Sequence, residues 1–107
     1  MPDTIRLVDY FYVETSDKPG EGARILSHLK NSGVNLVAFH GFPRGRRAQL
    51  DFVPSDPAAF KAAAKTARWK VVGPKKAFVI EGDDRVGAII WVKARDVKRA
   101  AKVLGVD

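Results

Sequence analysis

Alternation of apolar and polar residues predicts strands in three stretches of the chain. Residues 8–16 (VDYFYVETS) are rich in aromatic and β-branched side chains, and a period of two puts Phe11 and Val13 on one face of a strand. Residues 34–42 (VNLVAFHGF) and 46–55 (RRAQLDFVPS) are two further strands, joined by the turn residues of GFPRG. This pair is expected to form a hairpin.

Helical spacing replaces alternation in two segments. Residues 19–33 (PGEGARILSHLKNSG) carry apolar residues three and four positions apart, with Pro19 suited to the first turn and Gly33 to the C-terminal stop. Residues 56–68 (DPAAFKAAAKTAR) open with Asp56 as the N-cap, and alanine has the highest helix propensity. Both segments are therefore predicted to be helices.

A short strand at residues 69–73 (WKVVG) completes the order strand, helix, strand, strand, helix, strand. This order is the split βαβ, or ferredoxin-like, plan. The predicted fold class is therefore α+β, with both helices on one face of an antiparallel sheet.

The end of the chain repeats part of its beginning. Residues 11–20 (FYVETSDKPG) match residues 78–87 (FVIEGDDRVG) in register, and AQLDFVPSDPAAFKAAA lines up with AIIWVKARDVKRAAKVL. Between these matched segments the second copy lacks the counterpart of the first helix and the second strand. We therefore predict a complete module over residues 1–74 and a partial repeat, strand-strand-helix, over residues 75–107.

The two strands of the partial repeat, KKAFVIE and AIIWVKA, carry apolar residues. The counterpart of the first helix, which would cover these residues in a complete module, is absent. Because an isolated two-stranded ribbon is marginal in water and exposed strand edges invite pairing, the fragment either extends its own sheet or pairs with another chain. We favour a homodimer in which these segments complete a shared sheet. The apolar residues concerned include Phe78, Ile80, Ile90 and Trp91.

Charge and composition narrow the function classes. The net charge is +7, but residues 1–64 carry only +1, and the lysines of the second half are typical of a solvated helix face. Charge alone therefore does not favour nucleic-acid binding. The absence of cysteine excludes disulfides and thiolate chemistry. No apolar run reaches the roughly 18 residues of a membrane span and no signal-peptide pattern is present, so a cytoplasmic location is expected.

The junction between the first strand and the first helix is rich in residues that keep side chains away from the backbone. Pro19, Gly20 and Gly22 lie there, and the free amides and positive dipole end of the helix point into the same corner. We expect this corner to lie beside Asn35 and to hold a small carboxylate through backbone groups. The alternative is structural, with Asp17 capping the helix, the glycines serving the turn and Asn35 tying down a loop.

The motif DKPGEGARILSHLKNSGVNL resembles the signature of the ACT domain, a ferredoxin-like regulatory module of amino-acid metabolism. Members of the family share an Asp-x-Pro-Gly turn, an amphipathic helix and a Gly-Val-Asn-Ile/Leu strand start, and the resemblance covers residues 8–73. It implies a free amino acid as ligand, bound against the strand-to-helix turn and the following Asn, often where two modules meet. The ligand-binding residues that it implies are Asp17, Gly20 and Asn35.

No catalytic constellation is predicted. The sequence lacks a Ser nucleophile beside a His base and a phosphate-binding lysine loop, and Asp83 and Asp84 are adjacent on an expected turn. His28 and His40 have no partner at metal-ligand spacing. We therefore predict a non-enzyme without metal ion or cofactor, whose partners are an amino acid and a second copy of the chain.

Two alternatives to an amino-acid sensor stay open. RNA-recognition domains share this strand order and stack bases on aromatic residues, for which Tyr10, Tyr12 and Phe52 are the candidates here. However, RGRRAQLDFV lacks the Gly-aromatic core of the RNA-recognition signature, which disfavours nucleic acid. The second alternative is a ligand-free assembly module, which would self-associate and bind neither amino acid nor RNA.

Overall fold

The computed structural model describes residues 4–16, 18–82, 85–91 and 94–105 of the chain. These residues form five strands and three α-helices, with a short 3-10 turn (Ala94–Asp96) before the last helix. The elements in chain order are β1 (Thr4–Ser16), α1 (Glu21–Asn31), β2 (Leu36–Arg44), β3 (Arg47–Pro54), α2 (Pro57–Ala67), β4 (Val71–Gly82), β5 (Arg85–Trp91) and α3 (Val97–Leu104).

The strands form one sheet in the order β2-β3-β1-β4-β5. β1 and β2 each pair antiparallel with β3, and β4 pairs antiparallel with β5. The order β2-β3-β1-β4 is that of the ferredoxin-like plan, and β4, β5 and α3 provide the strand-strand-helix end of the chain. The structure thus confirms the predicted α+β, ferredoxin-like fold class.

The chain divides into two compact units, which we call the first unit (residues 11–73) and the second unit (residues 1–10 and 74–107). Both boundaries fall inside strands, since β1 and β4 each contribute residues to both units. The assignment of residues 1–74 to a complete module and 75–107 to an incomplete repeat stays a prediction.

The core of the first unit lies between α1, α2 and one face of the sheet. Phe11 of β1 stacks on Phe60 of α2 with ring centroids 5.0 Å apart, and Phe52 of β3 lies 5.2 Å from the same ring. Ile25 and Leu29 bring the buried face of α1 to this cluster. Because burial of an amphipathic face supplies most of the stability of a short helix, these contacts hold both helices on the sheet.

The start of α2 agrees with the prediction from sequence. The Asp56 carboxylate accepts hydrogen bonds from the backbone N–H groups of Ala58 and Ala59, over 3.0 and 3.5 Å, and Pro57 occupies the first helical turn. Asp56 has an extended backbone, as N-cap residues usually do. The predicted N-cap is confirmed.

The β2–β3 hairpin turns later than GFPRG indicates. Pro43 and Arg44 still belong to β2, and the turn is formed by Gly45 and Arg46. Pro43 is tolerated because β2 is at the edge of the sheet, where a missing N–H need not break a ladder.

β4 joins two strands that the sequence analysis separates. WKVVG and KKAFVIE belong to one strand, Val71–Gly82, which continues through Gly73 and Pro74. Gly73 has a φ of 132°, a conformation that other residues rarely adopt, and it therefore permits an irregularity where a break is predicted. β4 pairs with β5 from Ala77 to Gly82, and the order β1-β4-β5 shows that both strands extend the sheet of their own chain. The homodimer in which these segments complete a shared sheet stays a prediction.

The centre of β4 is buried on both faces of the strand. Phe78 and Val79 are both fully buried, and neighbouring residues of a strand point to opposite faces, so both faces are covered here. Tyr10 of β1 packs edge-to-face on Trp91 of β5, with ring centroids 4.6 Å apart. The predicted turn residues Asp83 and Asp84 lie outside the described residues.

In the second unit, an ion pair joins β1 to β4. The Arg6 guanidinium donates to the Glu81 carboxylate over 2.6 Å. Such exposed pairs contribute little to stability, typically about 0–1 kcal/mol. Val103 of α3 is 81% exposed.

Within the described ranges, none of the helices is both long and apolar enough to cross a membrane.

Candidate functional site

A tight turn connects β1 to α1. The Glu21 N–H donates to the Lys18 carbonyl over 3.2 Å, and Pro19 and Gly20 occupy the two central positions. Gly20 has φ 86° and ψ −9°, close to the values of about 80° and 0° that a type II turn needs at this position. Only glycine adopts them without strain, so the turn itself explains Gly20. Asp17, the first of the predicted ligand residues, lies outside the described part of the chain.

The N-terminus of α1 is open. Its N-cap is Gly20, and among the residues that the structure describes no side chain caps the helix. Across the described residues, the backbone N–H groups of Gly22 and Ala23 donate to no acceptor. A Cβ atom at Gly20 or Gly22 would meet nothing within 4 Å. The first turn of α1 therefore offers hydrogen-bond donors in a space that side chains leave empty.

The acidic side chain of Glu21 lies at this end of α1. The Glu21 carboxylate accepts hydrogen bonds from Arg24 Nη2 over 2.8 Å and from Thr15 Oγ1 over 3.1 Å. The bond from Arg24, and then that from Thr15, lower the pKa of Glu21, and the same carboxylate raises the pKa of Arg24. The cluster keeps one negative and one positive charge fixed beside the free amides.

Sequence reasoning missed this cluster as a unit. Glu21 and Arg24 are three positions apart on α1, a spacing that brings side chains together on one helix face. The third member, Thr15, comes from β1 and joins the pair only through the Pro-Gly turn.

Asn35 has a structural role through its backbone. Its carbonyl accepts hydrogen bonds from the Ser55 N–H over 3.0 Å and from Ser55 Oγ over 3.2 Å. The Asn35 side-chain amide makes no hydrogen bond within the described residues, and the residue is exposed. The loop-tying role was expected of the side chain, but the backbone performs it and leaves the amide available.

Gly20 and Asn35 lie at opposite ends of the first unit. β1 and β2 both pair antiparallel with β3, so they run in the same direction, and the start of β2 lies away from the end of β1. The eleven residues of α1, about 16 Å of helix, also separate the two positions. The expectation that they are neighbours in one chain is therefore wrong, because the turn-to-helix corner lies beside the end of β2 and not its start.

The sheet face opposite α1 and α2 carries a polar network. Tyr12 of β1, Asp51 of β3 and His40 of β2 are paired in one row across three strands. The Gln49 amide donates to the Asp51 carboxylate over 2.9 Å, and both side chains are buried. Arg44 in turn donates to the Gln49 side-chain oxygen over 2.6 Å.

This network was not foreseen, although the sequence holds a signal for it. Gln49 and Asp51 alternate with Leu50 and Phe52 along β3, which puts two polar side chains on the face away from the core. Alternation does not predict that these two side chains are buried, because a polar residue on the outer face of a sheet is normally solvated.

A groove lies on this face of the first unit. It has a volume of about 390 Å³ and is lined by Tyr12, Glu14, Arg47, Lys70 and Val72. The lining thus includes two cations, one carboxylate and one aromatic ring beside the polar network.

The RNA alternative loses one of its aromatic residues. Phe52 is fully buried in the core, on the face covered by the helices, and cannot stack on a base. At the position where β3 would need an aromatic ring on the other face, it has the buried Asp51. Of the three candidate residues, Phe52 is therefore not available for base stacking.

His28 has a structural role in linking the two helices. His28 Nε2 lies 2.9 Å from the Ala63 carbonyl oxygen and therefore donates to it, linking α1 to α2, and its ring packs edge-on against Trp69. In the parts of the chain that the structure describes, no group of three His, Cys, Asp or Glu side chains could hold a metal ion.

The fold resembles that of two solved proteins. No family model matches the chain, and no curated protein matches it in sequence. The regulatory subunit of aspartate kinase from Thermus thermophilus, in its ligand-free form, superposes with a TM-score of 0.67 at 12% identity, covering 98% of this chain and 96% of that one. Protein BT0572 from Bacteroides thetaiotaomicron gives a TM-score of 0.58 at 18% identity over 68% of this chain. The chain spans 50% of the length of the Bacteroides protein.

At these identities the likeness establishes the fold alone. That fold is the α+β arrangement found in a regulatory subunit, as expected from the resemblance to ACT domains.

Proposed function

We propose that the chain is a non-catalytic regulatory module that binds a free amino acid at the start of α1. The observation that carries this proposal is the open N-terminus of α1, where the N–H groups of Gly22 and Ala23 have no acceptor among the described residues. The fold shared with an aspartate kinase regulatory subunit supports the regulatory class. Amino acids are suited to such a corner because their carboxylate matches free helix amides and a positive dipole end.

The charged side chains of the corner complement the other end of an amino acid. The Gly22 and Ala23 amides would take the ligand carboxylate. The Glu21 carboxylate, still able to accept further hydrogen bonds, would take the ammonium group together with Asp17. Arg24 limits the net negative charge of the corner through its ion pair with Glu21.

Asn35 enters this site only from a second copy of the chain. β2 is an edge strand, so the β2 strands of two copies can pair antiparallel around a two-fold axis. The two α1 helices then also run antiparallel, which places the start of one α1 beside the end of the other. In such a homodimer, Gly20 of one copy lies near Asn35 of its neighbour, and each dimer contains two equivalent sites.

Thermal unfolding of the purified chain with each of the twenty amino acids tests the function. A ligand that binds only the folded state raises the midpoint, and at a hundredfold excess over Kd it adds about 2.7 kcal/mol. Calorimetric titration then measures the affinity of each amino acid that raises the midpoint. If all twenty leave the midpoint unchanged and self-association persists, the chain is an assembly module.

Gly22→Val locates the site, and Ala58→Val is its matched control. Both residues are second in their helix, and a side chain at position 22 meets no neighbour but fills the space before the amides. We expect Gly22→Val to abolish the midpoint shift and Ala58→Val to leave it intact. Equal responses of both variants would place the ligand elsewhere.

Mixing two variants that are each impaired in binding tests whether the site spans two copies. Asn35→Ala should bind the amino acid about tenfold more weakly, as expected for one lost hydrogen bond of about 1.4 kcal/mol. Refolding Gly22→Val together with Asn35→Ala makes mixed dimers that hold one intact site, so about a quarter of the sites should recover full affinity. A site built within one chain would recover none.

A further inference from the structure

A second candidate site lies on the sheet face of the first unit that α1 and α2 leave uncovered. Its groove, of about 390 Å³, receives Arg47 from β3 and Lys70 from the connection between α2 and β4. Tyr12 of β1 and Val72 of β4 contribute the less polar part of the lining. Both cations are exposed, and Tyr12 is half-buried.

The two cations of this groove have no carboxylate partner within the described residues. Arg47 Nη2 donates to the backbone carbonyl of Glu14 over 3.3 Å, and Lys70 takes part in no ion pair there. Among the described residues that line the groove, Glu14 is the one carboxylate, and its Oε1 lies 3.7 Å from Nε of Arg44. Two of these lining residues are therefore positively charged, and the one negative charge among them is already paired.

The polar network beside the groove makes its wall well defined. Tyr12 is in register with Asp51, a residue that is 4% exposed and whose carboxylate accepts a hydrogen bond from Gln49. Arg44 joins Gln49 to Glu14 by one hydrogen bond and one ion pair. A hydrogen-bonded network of this kind restricts side-chain rotation, so less conformational entropy is lost when a ligand binds.

We propose that this groove binds a small organic anion, with its charged group between Arg47 and Lys70 and its carbon skeleton against Tyr12 and Val72. Pockets for small molecules usually measure about 300–1,000 Å³, so the volume fits a small metabolite. Two cations favour a doubly charged ligand, which a phosphate ester or a dicarboxylate provides. The site shares no residue with the corner at α1 and does not depend on the function proposed for it.

Nuclear magnetic resonance titration of the full chain with inorganic phosphate, and separately with glutarate, tests the proposal. Sodium chloride keeps the ionic strength constant, so that general screening does not change. We expect saturable shifts of the backbone amide signals of Tyr12, Arg47 and Val72 with at least one probe. Saturation with phosphate alone indicates a phosphorylated ligand, and saturation with glutarate alone indicates a dicarboxylate. The absence of saturation with both probes overturns the proposal.

Charge-matched variants separate a built site from general attraction. Arg47→Gln and Lys70→Gln should each weaken binding of the responsive probe about tenfold, the loss expected for one charge-assisted hydrogen bond. Arg46→Gln and Lys65→Gln remove the same charge from exposed residues that do not line the groove, and should change the affinity less than about twofold. Equal losses in all four variants would overturn the proposal. Gly22→Val should retain this binding, so the two proposed sites can fail independently.

Discussion

α1 and α2 occupy equivalent places in the fold, yet they begin in opposite ways. α2 begins at Asp56, whose extended backbone lets the carboxylate accept hydrogen bonds from two of the first amides. α1 begins at Gly20, whose backbone is left-handed and which has no side chain to offer. The N-cap residue of α2 thus supplies an anion to its own helix, whereas the N-cap residue of α1 supplies none.

The difference separates a structural helix start from one suited to a ligand. An N-cap carboxylate and a bound carboxylate satisfy the same orphan amides, so a helix that has the first has no use for the second. The packing of the two helices does not explain the contrast, since both bury residues in the same core. Three predictions test how much each helix start contributes to the stability of the fold.

Removal of the α2 cap should have the largest effect on stability. Asp56→Ala leaves the amides of Ala58 and Ala59 without their acceptor and should lower the free energy of unfolding by about 1 kcal/mol, and by about 2 kcal/mol at most. Urea unfolding followed by circular dichroism measures the change. Asp56→Asn keeps an acceptor and should lose less than about 0.5 kcal/mol. An equal loss in both variants would mean that the cap hydrogen bonds are not the cause.

Alanine at the two glycines of α1 should change stability in opposite directions. Gly20→Ala forces a Cβ into a left-handed conformation and should cost about 1 kcal/mol, although no atom lies within 4 Å of that Cβ. Gly22→Ala lies inside the helix with a normal φ and should add about 0.5 kcal/mol. The same urea experiment compares the two. Destabilisation by Gly22→Ala would show that a side chain at position 22 clashes with a neighbouring group.

The smallest effect concerns the charge pair at the start of α1. The pKa of Glu21 is lowered in the folded chain, mainly by the hydrogen bond from Arg24. Its contribution to stability is therefore present above the unfolded-state pKa, about 4.3 for glutamate, and is lost as the pH falls through the lower folded-state pKa. Glu21→Gln should reduce the urea midpoint slightly at pH 7 and should unfold with a flatter pH dependence below about pH 4.3. Parallel pH profiles of parent and variant would show that the pair contributes nothing.

Local chemistry made much of the fold predictable. Asp56 followed by Pro57 specifies a helix start by itself, and the alternation along β1 places Phe11 in the core without knowledge of any partner. Once these helices and strands are predicted, their order along the chain gives the ferredoxin-like plan.

The candidate site was harder to predict because it depends on strand directions. Whether Gly20 and Asn35 meet is decided by the common antiparallel pairing of β1 and β2 with β3, which no short motif specifies. The same holds for the groove, where Arg47 and Lys70 come together from different elements. The continuation of β4 through Gly73 and Pro74 was missed for a different reason, since turn-forming residues inside a strand mimic a break.

The edge position of β2 limits the size of an assembly that forms through it. A strand edge can pair with one other strand, and antiparallel pairing of two identical edges around a two-fold axis uses both at once. Growth through β2 therefore stops at two copies, whereas a head-to-tail contact would leave a free edge at each step and lead to fibres. Pro43 near the end of β2 shortens the usable edge further, because it has no N–H to donate to a neighbouring strand.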